Sequence, residues 1–493
     1  MISNGIKVLL VYVNSPMDNL IPIGISLLSS FLKNSGHEVK LFDTTFYKTT
    51  IETGDDVRVK TLQVKYTNLS KLGINFKNSN LIEDFRILIE EYKPDLIGLS
   101  CVEPTIQLAL FLLNSIKDKK IPKILGGIGV MFLADEIIHE DSVDMVCIGE
   151  GEYAITELAN AIRDNIDYSN IKNLWIKKDD IIKKNDINQL VDINNLPFQD
   201  WSIYQKERFF KPMGGKIRVT GAFELVRGCP RMCSYCCNYG INKFYKKKYV
   251  RQKNIDRIID EIQYMKDKYS IEYVYFYAEN FLLTIKDDDF NKFIASYEKI
   301  KMPFWIETEP ESITENRLSK LKMIGCEGIS VGIEHGNEKF RKKILNRYIT
   351  NEKLIKAFTI AKKYGIRISA NNIIGFPTET RELIFETIEL NRKLNADNII
   401  VNLFVPYRGT KLRELSIKKG YLNKNDRGWD YRFSAALDQP QLKKEELLGL
   451  HRTFVLYTTL PKKKWDLIKM AEKFDENGNR IHHKLSMEYL SLK

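Results

Sequence analysis

Four cysteines lie within nine consecutive residues, in the segment ELVRGCPRMCSYCCNYG. Three of them, Cys229, Cys233 and Cys236, are spaced so that their thiols fall within one loop. Three thiolates can hold three irons of a cubane [4Fe-4S] cluster, and the fourth iron then stays open to a substrate or cofactor. Cys237 is adjacent to Cys236, so its side chain should point in a different direction. The spacing therefore predicts an iron–sulfur site with an open coordination position.

A structural zinc ion is the main alternative, because cysteine pairs bind zinc well. Zinc sites usually need a second ligand pair with its own spacing, and no matching CxxC or HxxxH pair occurs elsewhere in the sequence. The other cysteines, Cys101, Cys147 and Cys326, lie in apolar strand-like segments, where buried structural thiols are the usual case. Seven cysteines in 493 residues, four of them clustered, do not resemble a disulfide framework. We therefore expect a reducing, cytoplasmic location.

Two series of alternating strands and helices are predicted to position these residues. Residues 1–165 contain five β-rich runs with helical patterns between them, which predicts a doubly wound (Rossmann-like or flavodoxin-like) parallel sheet. A ligand of such a sheet binds outside the carboxyl ends of the strands, where glycines permit close backbone approach. Ser100, Gly126, Gly127 and Gly149 occupy those positions.

The second series lies in residues 219–415 and has six strand–helix repeats. It predicts a partial (β/α)6 barrel of TIM type, in which reactive groups lie at the carboxyl ends of the strands. The cysteines directly follow the first of these strands. Residues 166–218 are turn-rich and are predicted to be a packed connector, and residues 416–493 a helical C-terminal capping region. The predicted fold class is therefore α/β.

The segment CPRMCSYC resembles the CxxxCxΦC signature of radical S-adenosylmethionine (SAM) enzymes, with Tyr235 in the aromatic position. The resemblance extends over residues 219–415. It implies that Glu279, in YFYAENF, meets the SAM amino group and that Glu334, in SVGIEHG, approaches the SAM ribose and carboxylate. NNIIGFPTET, which contains Ile374, resembles the segment that lies against the adenine. A lone glutamate at a strand end is more often part of a salt bridge, so both roles depend on register with the cysteine loop.

The same resemblance implies the chemistry of the site. The cluster would deliver one electron to SAM, which leaves methionine and a 5′-deoxyadenosyl radical that takes a hydrogen atom from an unactivated carbon. A largely closed barrel would protect this radical from solvent. The cofactors would carry the difficult chemistry, and the sequence leaves the catalytic residues unknown. An external one-electron reductant such as flavodoxin or ferredoxin is the expected partner.

The N-terminal segments PIGISLLSSFLKNSGHEVKLFD, PDLIGLS, GGIGV and VCIGEGE resemble, in that order, the cobalamin-binding domain found ahead of many radical SAM barrels. This resemblance implies cobalamin as a further cofactor, bound near the four strand-end residues named above. The sequence lacks Asp-x-His-x-x-Gly, which supplies the lower cobalt ligand in some corrinoid proteins. His37 lies in a helix-to-strand turn and is predicted to be structural. A domain that keeps the fold without the cofactor is the alternative.

The leading functional prediction is a cobalamin-dependent radical SAM enzyme that methylates an unactivated carbon. The first alternative is a non-methylating cyclase, oxidative or rearrangement enzyme similar to the anaerobic magnesium-protoporphyrin ester cyclase. An alternative from another class is a non-catalytic iron–sulfur or corrinoid carrier, which would make no 5′-deoxyadenosine. A methylthiolating RNA enzyme would ordinarily carry a second cysteine trio and a small β-rich tail, and neither is found in this sequence.

The charge pattern does not favour a nucleic-acid partner. The chain has 76 basic and 64 acidic residues, for a net charge of +12, but the two signs are mixed along helical stretches. The run Lys246, Lys247 and Lys248, between Tyr245 and Tyr249, could contact phosphates, although a solvated face is the more common role. No apolar run is long enough to predict a transmembrane segment.

The sequence leaves the substrate open among small molecules, lipids and peptides. Trp429, Tyr431 and Phe433 are candidates to line its pocket. Packing is the more common role for any one aromatic side chain.

Overall fold

The computed structural model describes residues 5–179, 181–246, 249–426 and 434–492. Lys247, Lys248, Trp429, Tyr431 and Phe433 lie outside the described residues.

Two compact units divide the chain. The N-terminal unit comprises Met1–Gly54 and Asn68–Lys211, and the barrel unit comprises Asp55–Thr67 and Pro212–Lys493. The short segment Asp55–Thr67 therefore packs with the barrel unit, although residues of the N-terminal unit flank it on both sides in the sequence.

A seven-stranded sheet, in the order β2-β1-β3-β4-β5-β6-β7, forms the centre of the N-terminal unit as described. The first five strands are parallel and the last two are antiparallel. The strands are β1 (Lys7–Tyr12), β2 (Glu38–Asp43), β3 (Leu96–Ser100), β4 (Lys123–Gly126), β5 (Met145–Cys147), β6 (Leu174–Lys178) and β7 (Ile181–Lys184). The helices in this part of the chain are α1 (Ile23–Asn34), α2 (Gly54–Lys60), α3 (Leu81–Tyr92), α4 (Ile106–Asn114), α5 (Ile128–Met131), α6 (Ala134–Ile137) and α7 (Glu152–Asp164).

The order β2-β1-β3-β4-β5 of the parallel strands is a doubly wound order, whose direction reverses between β1 and β3. Strands buried on both faces read as continuous apolar runs, and Val8, Leu9 and Leu10 of β1 are each at most 1% exposed. The predicted fold class is confirmed.

The hairpin β6–β7 was not predicted, because it lies in the turn-rich segment 166–218. It extends the N-terminal sheet through antiparallel pairing of Leu174 with Cys147. Only Leu174 and Ile176 are buried in β6, and the other residues of the hairpin are partly or fully exposed. Two buried positions are too few to produce a clear alternation in the sequence.

The barrel unit contains a second seven-stranded sheet, a curled half-barrel in the order β16-β15-β14-β13-β12-β9-β8. The six predicted strands correspond to β9 and β12–β16, which are parallel. The strands of this part of the chain are β8 (Phe210–Met213), β9 (Lys216–Glu224), β10 (Val226–Arg227), β11 (Arg251–Gln252), β12 (Tyr273–Tyr277), β13 (Phe304–Thr308), β14 (Cys326–Glu334), β15 (Arg367–Ile374) and β16 (Asn398–Leu403). The helices are α8 (Cys237–Tyr245), α9 (Ile255–Tyr269), α10 (Phe281–Thr284), α11 (Asp287–Tyr297), α12 (Glu315–Met323), α13 (Glu338–Lys343), α14 (Asn351–Lys363), α15 (Arg381–Leu394), α16 (Lys411–Lys418), α17 (Lys444–Thr459), α18 (Trp465–Ala471) and α19 (Glu476–Ser491).

The C-terminal helices cover the β16 side of the half-barrel. Leu450 and Phe454 of α17 are fully buried in one apolar cluster with Ile384 and Ile388 of α15. Leu447, near the start of α17, lies against Gly375, which directly follows β15. None of the described helices combines the length and apolar character that crossing a bilayer requires.

Segment Asp55–Thr67 closes the free edge of β16. The backbone N–H of Val401 donates to Oε1 of Gln63 at 2.9 Å, and Nε2 of His451 lies 3.1 Å from the carbonyl oxygen of Val401. Leu62 joins the apolar cluster beneath α17. An edge strand that would otherwise present unpaired backbone groups is thus covered by a side chain from a distant part of the sequence.

Candidate functional site

The cysteine loop lies between β10 and α8, beyond the carboxyl end of β9. Cys229 is 9% exposed, Cys233 and Cys236 are half-buried, and all seven cysteines of the chain are free thiols. Cys237 is the first residue of α8 and Cys236 is its N-cap. The structure therefore places the three predicted ligands in one partly buried loop at the strand end.

Hydrogen bonds to three other segments fasten this loop. Ser234 donates its backbone N–H to the carbonyl of Leu345 at 3.1 Å and accepts from the backbone N–H of Leu412 at 2.9 Å. The side-chain amide of Asn242, in α8, donates to the carbonyl of Cys229 at 3.0 Å. These hydrogen bonds join the cysteine loop to the segments at Leu345 and Leu412 and to α8.

An ion pair adds a further anchor. Arg231 of the loop donates to both carboxylate oxygens of Glu309, at 2.6 and 2.7 Å. Glu309 directly follows β13, and its backbone N–H donates to Oδ1 of Asn280 at 3.0 Å. A bidentate arginine–carboxylate pair fixes orientation as well as distance, so the loop is oriented against the end of β13.

The protonation of the four clustered thiols differs. Burial raises the pKa of Cys229 to about 12 and that of Cys233 to about 11. A hydrogen bond from the Cys237 thiol lowers the pKa of Cys236, and the same bond, with burial, raises the pKa of Cys237. The pKa values of these two adjacent thiols are therefore shifted in opposite directions.

Glu279 lies just beyond β12 and close to the cysteine loop. Its charge contributes to raising the pKa of the Cys229 thiol. The carboxylate is open to solvent, yet the surrounding protein desolvates it and raises its pKa, with Glu307 adding to the rise and a hydrogen bond from Asn238 opposing it. A solvent-accessible but poorly solvated carboxylate is typical of the floor of a concave binding site.

Glu334 ends β14 in a left-handed conformation, with φ of +64°. Its Oε1 lies 3.0 Å from Nη1 of Arg347. Burial raises the pKa of Glu334, and the charge of Arg347 opposes that rise. A Cβ atom on Gly332 would lie 2.3 Å from Oε1 of Glu334, so a larger residue there would displace the carboxylate from this position. Glu334 thus forms a salt bridge, which is the alternative that the sequence left open beside a role in SAM binding.

The side chain of Ile374, the last residue of β15, is fully buried in the apolar cluster with Ile384 and Leu447. The side chain packs against the outer helices, and the Ile374 carbonyl accepts from the backbone N–H of Phe404 at 2.8 Å. The ring of Tyr235 lies 5.9 Å from that of Phe376, centroid to centroid.

In the N-terminal unit a cavity of about 150 Å³ lies between the sheet and the helices α1 and α7. Ser100, Gly126, Gly127 and Gly149 all line it. Gly127 has φ of +103°, and a Cβ atom there would lie 2.4 Å from the carbonyl oxygen of Cys101. The cavity therefore depends on glycine backbone at the carboxyl ends of the strands.

His37 is remote from this cavity and makes structural contacts. Its Nδ1 accepts from the backbone N–H of Ile6 at 3.2 Å, and its Nε2 lies 3.1 Å from Oδ1 of Asn160. Burial lowers the pKa of His37. Both ring nitrogens are used in packing the helix-to-strand turn, as predicted.

Comparison with known families decides the identity of the two units. Residues 9–159 match the B12 binding domain, and residues 223–390 match the radical SAM superfamily. Together these ranges cover more than half of the chain. The chain is a B12-binding radical SAM enzyme. Its cofactors are accordingly a [4Fe-4S] cluster, SAM and cobalamin.

The names of the proteins that are similar to this radical SAM enzyme state more than one activity. An uncharacterized methyltransferase of Pyrococcus horikoshii is 24% identical over 69% of this chain and 73% of its own length. The anaerobic magnesium-protoporphyrin IX monomethyl ester cyclase of Rubrivivax gelatinosus is also 24% identical over 69% of this chain, but the match spans only 62% of the cyclase. The structure of the radical SAM methyltransferase TsrM from Kitasatospora setae superposes with a TM-score of 0.65 at 17% identity, covering 93% of this chain and 84% of TsrM. This last likeness shows a shared fold.

The residues present fit the cofactors of such an enzyme. A [4Fe-4S] cluster with one open iron needs three thiols that form no disulfide, and Cys229, Cys233 and Cys236 are free thiols in one partly buried loop. Arg231, Asn238 and Arg347 were missed by sequence reasoning. The side chain of each residue contacts a partner that the local sequence pattern does not identify.

Proposed function

We propose that this enzyme methylates an unactivated carbon atom of its substrate, with cobalamin as the methyl carrier. The observation that carries this proposal is the presence in one chain of a three-cysteine loop at a barrel strand end and a glycine-lined cavity in a B12-binding domain. When bound, the reduced cluster supplies one electron to SAM, and cobalamin supplies the methyl group.

In this proposal Cys229, Cys233 and Cys236 hold the cluster. The free energy of metal binding to deprotonated thiols outweighs the cost of burying their charge. Because the pKa values of Cys229 and Cys233 are high, binding of the metal releases protons from these thiols. Cys237 keeps its thiol proton and supports Cys236 from the start of α8.

Glu279 is proposed to bind the SAM ammonium group, because its carboxylate is accessible beside the cysteine loop. Glu334 is proposed to orient the SAM ribose and carboxylate, and its ion pair with Arg347 favours the charged form and restricts the side chain. The backbone at Ile374 is proposed to lie against the adenine. These groups bind and orient, and none of them transfers a proton in the reaction.

The N-terminal cavity is proposed to hold the nucleotide tail of cobalamin, because 150 Å³ is far too small for a complete corrinoid. Backbone at Ser100, Gly126, Gly127 and Gly149 would contact the tail closely. The residues that line this cavity, all within the described chain, include no histidine.

Anaerobic reconstitution with iron, sulfide and hydroxocobalamin tests the proposal. We expect about four irons and one cobalt per chain, and 5′-deoxyadenosine from SAM under reductant. Cys233→Ala should lose iron and SAM cleavage, whereas Cys326→Ala, a buried cysteine outside the loop, should retain both. Iron and cleavage without cobalt would contradict the cobalamin role, and zinc in place of iron would overturn the proposal.

A cyclase or other oxidative reaction is the second candidate, favoured by the similarity to the anaerobic ester cyclase. Product mass separates the two reactions, with candidate small molecules, lipids or peptides incubated with the holoenzyme and a low-potential reductant such as flavodoxin or ferredoxin. A gain of one methylene unit supports methylation. Loss of hydrogens supports cyclisation.

A further inference from the structure

Two strand ends of the half-barrel carry strained backbone. Glu334, the last residue of β14, has φ of +64°, and Thr378, which lies just after β15, has φ of +70°. Positive φ is unfavourable for residues other than glycine, and most of all for a β-branched residue such as threonine. Such strain persists only where surrounding contacts impose it, and it is common at ligand sites. The contacts that hold these two segments therefore bear on the proposed SAM site.

Glu379 holds the turn 375–379, which directly follows β15. Its Oε2 accepts from the backbone N–H groups of Gly375 and Phe376, the latter at 2.9 Å. The Glu379 side chain is fully buried. One carboxylate oxygen thus fixes the start of the turn, and the second oxygen, Oε1, faces a different partner.

That partner is His335. Its Nε2 lies 3.1 Å from Oε1 of Glu379, and both side chains are fully buried. Neither atom has a hydrogen-bond partner elsewhere among the residues that the structure describes. The other ring nitrogen, Nδ1, accepts from the backbone N–H of Asn337 at 2.9 Å. A neutral imidazole with an accepting Nδ1 carries its proton on Nε2, so a donor and an acceptor meet at this contact.

Packing fixes the plane of the His335 ring. The ring stacks on that of Phe340, with the centroids 4.2 Å apart and the planes inclined by 17°. His335 directly follows Glu334 in the sequence, and Glu379 ends the turn that begins after Ile374. The contact between His335 and Glu379 therefore joins the two strand ends at which SAM is proposed to bind.

We infer that the buried His335–Glu379 pair positions these two strand ends for SAM, with His335 holding Glu379 and Glu379 holding the turn 375–379. This inference rests on the proposed roles of Glu334 and Ile374 in SAM binding. Both members of the pair act through other residues, so they are positioning residues. Loss of one member leaves a buried donor or acceptor of the other unsatisfied, and the strained turn then relaxes away from the geometry that fits the adenine.

Two substitutions of His335 separate its two hydrogen-bonding groups. Glutamine places an amide N–H donor near the position of Nε2, whereas asparagine keeps an acceptor near Nδ1 and is too short to reach Glu379. On the reconstituted enzyme we expect His335→Gln to bind SAM within about twofold of the wild type. His335→Asn should bind SAM about tenfold more weakly, since a hydrogen bond to a charged group is lost. The KM for SAM in 5′-deoxyadenosine formation should rise in parallel with kcat nearly unchanged, as expected when binding alone is weakened.

Glu379→Gln is the reciprocal test. Its amide nitrogen would face Nε2 of His335, so two donors would meet, and SAM binding should weaken by about tenfold. In the double variant His335→Gln with Glu379→Gln, the two amides can pair as donor and acceptor. SAM affinity should therefore recover in part, whereas a general loss of packing would not be repaired by a second substitution.

Tyr457→Phe is the matched control, because it also removes a buried donor from a glutamate of the barrel unit. The Tyr457 hydroxyl, in α17, donates to Oε1 of Glu472 at 2.6 Å. This variant should melt at a lower temperature and bind SAM as the wild type does. The EPR spectrum of the reduced cluster without SAM should be the same in all variants at equal iron content, because the pair does not contact the cysteine loop.

Wild-type SAM affinity in either His335→Asn or Glu379→Gln would overturn the inference. A double variant that binds SAM no better than Glu379→Gln would also overturn it, because the two side chains would then act independently. These measurements require neither cobalamin nor a methylated product, so they stand even if the methylation proposal fails. Failure of the wild-type enzyme to hold a cluster would instead overturn the proposed function.

Discussion

At the level of residues, two ion pairs each join two segments of the chain at the site. Arg231 pairs with Glu309, and Arg347 pairs with Glu334. Glu309 and Glu334 are at most 12% exposed in their side chains, so removing either arginine would leave a carboxylate in a poorly solvated place. Arg231 thereby joins the cysteine loop to the end of β13, and Arg347 pairs with the end of β14.

Gly151 is one of the residues that line the N-terminal cavity. Gly151, the N-cap of α7, has φ of −94° and ψ of −11°, which any residue can adopt, and a Cβ atom there would lie 3.7 Å from both Cys147 and Leu28. Gly151→Leu should therefore fold and fill the cavity. We expect cobalamin affinity to fall by about tenfold or more, as expected when an apolar side chain occupies a binding pocket. Absorbance titration with hydroxocobalamin measures this.

Glu157→Leu is the matched control for that prediction. It adds the same side chain on the exposed face of α7. This control should bind cobalamin as the wild type does, and both variants should retain iron. Unchanged cobalamin affinity in Gly151→Leu would show that the cavity is not the binding site.

At the level of elements, helix α17 contacts the edge strand of the half-barrel through a histidine instead of an apolar residue. His451 is 8% exposed and its Nε2 contacts the carbonyl of Val401 in the edge strand β16. Burial lowers the pKa of His451 to about 4 from 6.5. The imidazole is therefore neutral in the folded protein at neutral pH.

This depressed pKa makes the stability of the barrel unit depend on pH. Between pH 6.5 and about 4 the unfolded chain binds a proton at His451 and the folded chain does not. Stability is then lost as pH falls through this window, at ~1.4 kcal/mol per pH unit. We compare the decrease in the free energy of unfolding when the pH is lowered from 7 to 5. This decrease should be ~2 kcal/mol smaller in His451→Gln than in the wild type.

Denaturant titrations at the two pH values measure this difference. His139→Gln, at an exposed position, is the control and should follow the wild type. Burial lowers the pKa of His482 to about 4 as well, so the comparison between variants, and not the absolute slope, carries the test. Parallel pH profiles for His451→Gln and the wild type would contradict the prediction.

At the level of the whole molecule, the barrel unit is completed by residues from the N-terminal third of the sequence. Gln63 supplies the acceptor for Val401, and Leu62 lies in the core beneath α17. The hydroxyl of Tyr489, near the end of α19, lies 3.5 Å from the carbonyl oxygen of Leu62. The barrel unit is therefore discontinuous in sequence and has its edge strand closed by segment Asp55–Thr67.

A fragment of residues 212–493 tests this interpretation. Without segment 55–67 it should expose the β16 edge and part of an apolar core, and such edges favour aggregation. The same fragment with residues 55–67 joined through a flexible linker should give more soluble protein and a higher Tm. Equal solubility and Tm for the two fragments, measured by size-exclusion chromatography and thermal melts, would contradict a stabilising role for the segment.

The sequence by itself determined the features that depend on local spacing. The cysteine loop, the alternation of strands and helices, and the glycines after β4 and β5 are each contained in a short stretch, so their pattern survives without knowledge of the fold. These features were enough to predict an α/β chain with a radical SAM barrel and a B12-binding domain, and both predictions are confirmed. The residues that bind each cofactor stay predictions.

Only the tertiary structure decided how distant residues meet. The pairs Arg231–Glu309 and Gln63–Val401 join positions separated by 78 and 338 residues, and the cavity is formed by four strand ends and two helices. The outward packing of Ile374 and the hairpin β6–β7 were likewise set by neighbours that the local sequence does not specify. Such contacts depend on how the chain folds back on itself, which no local spacing records.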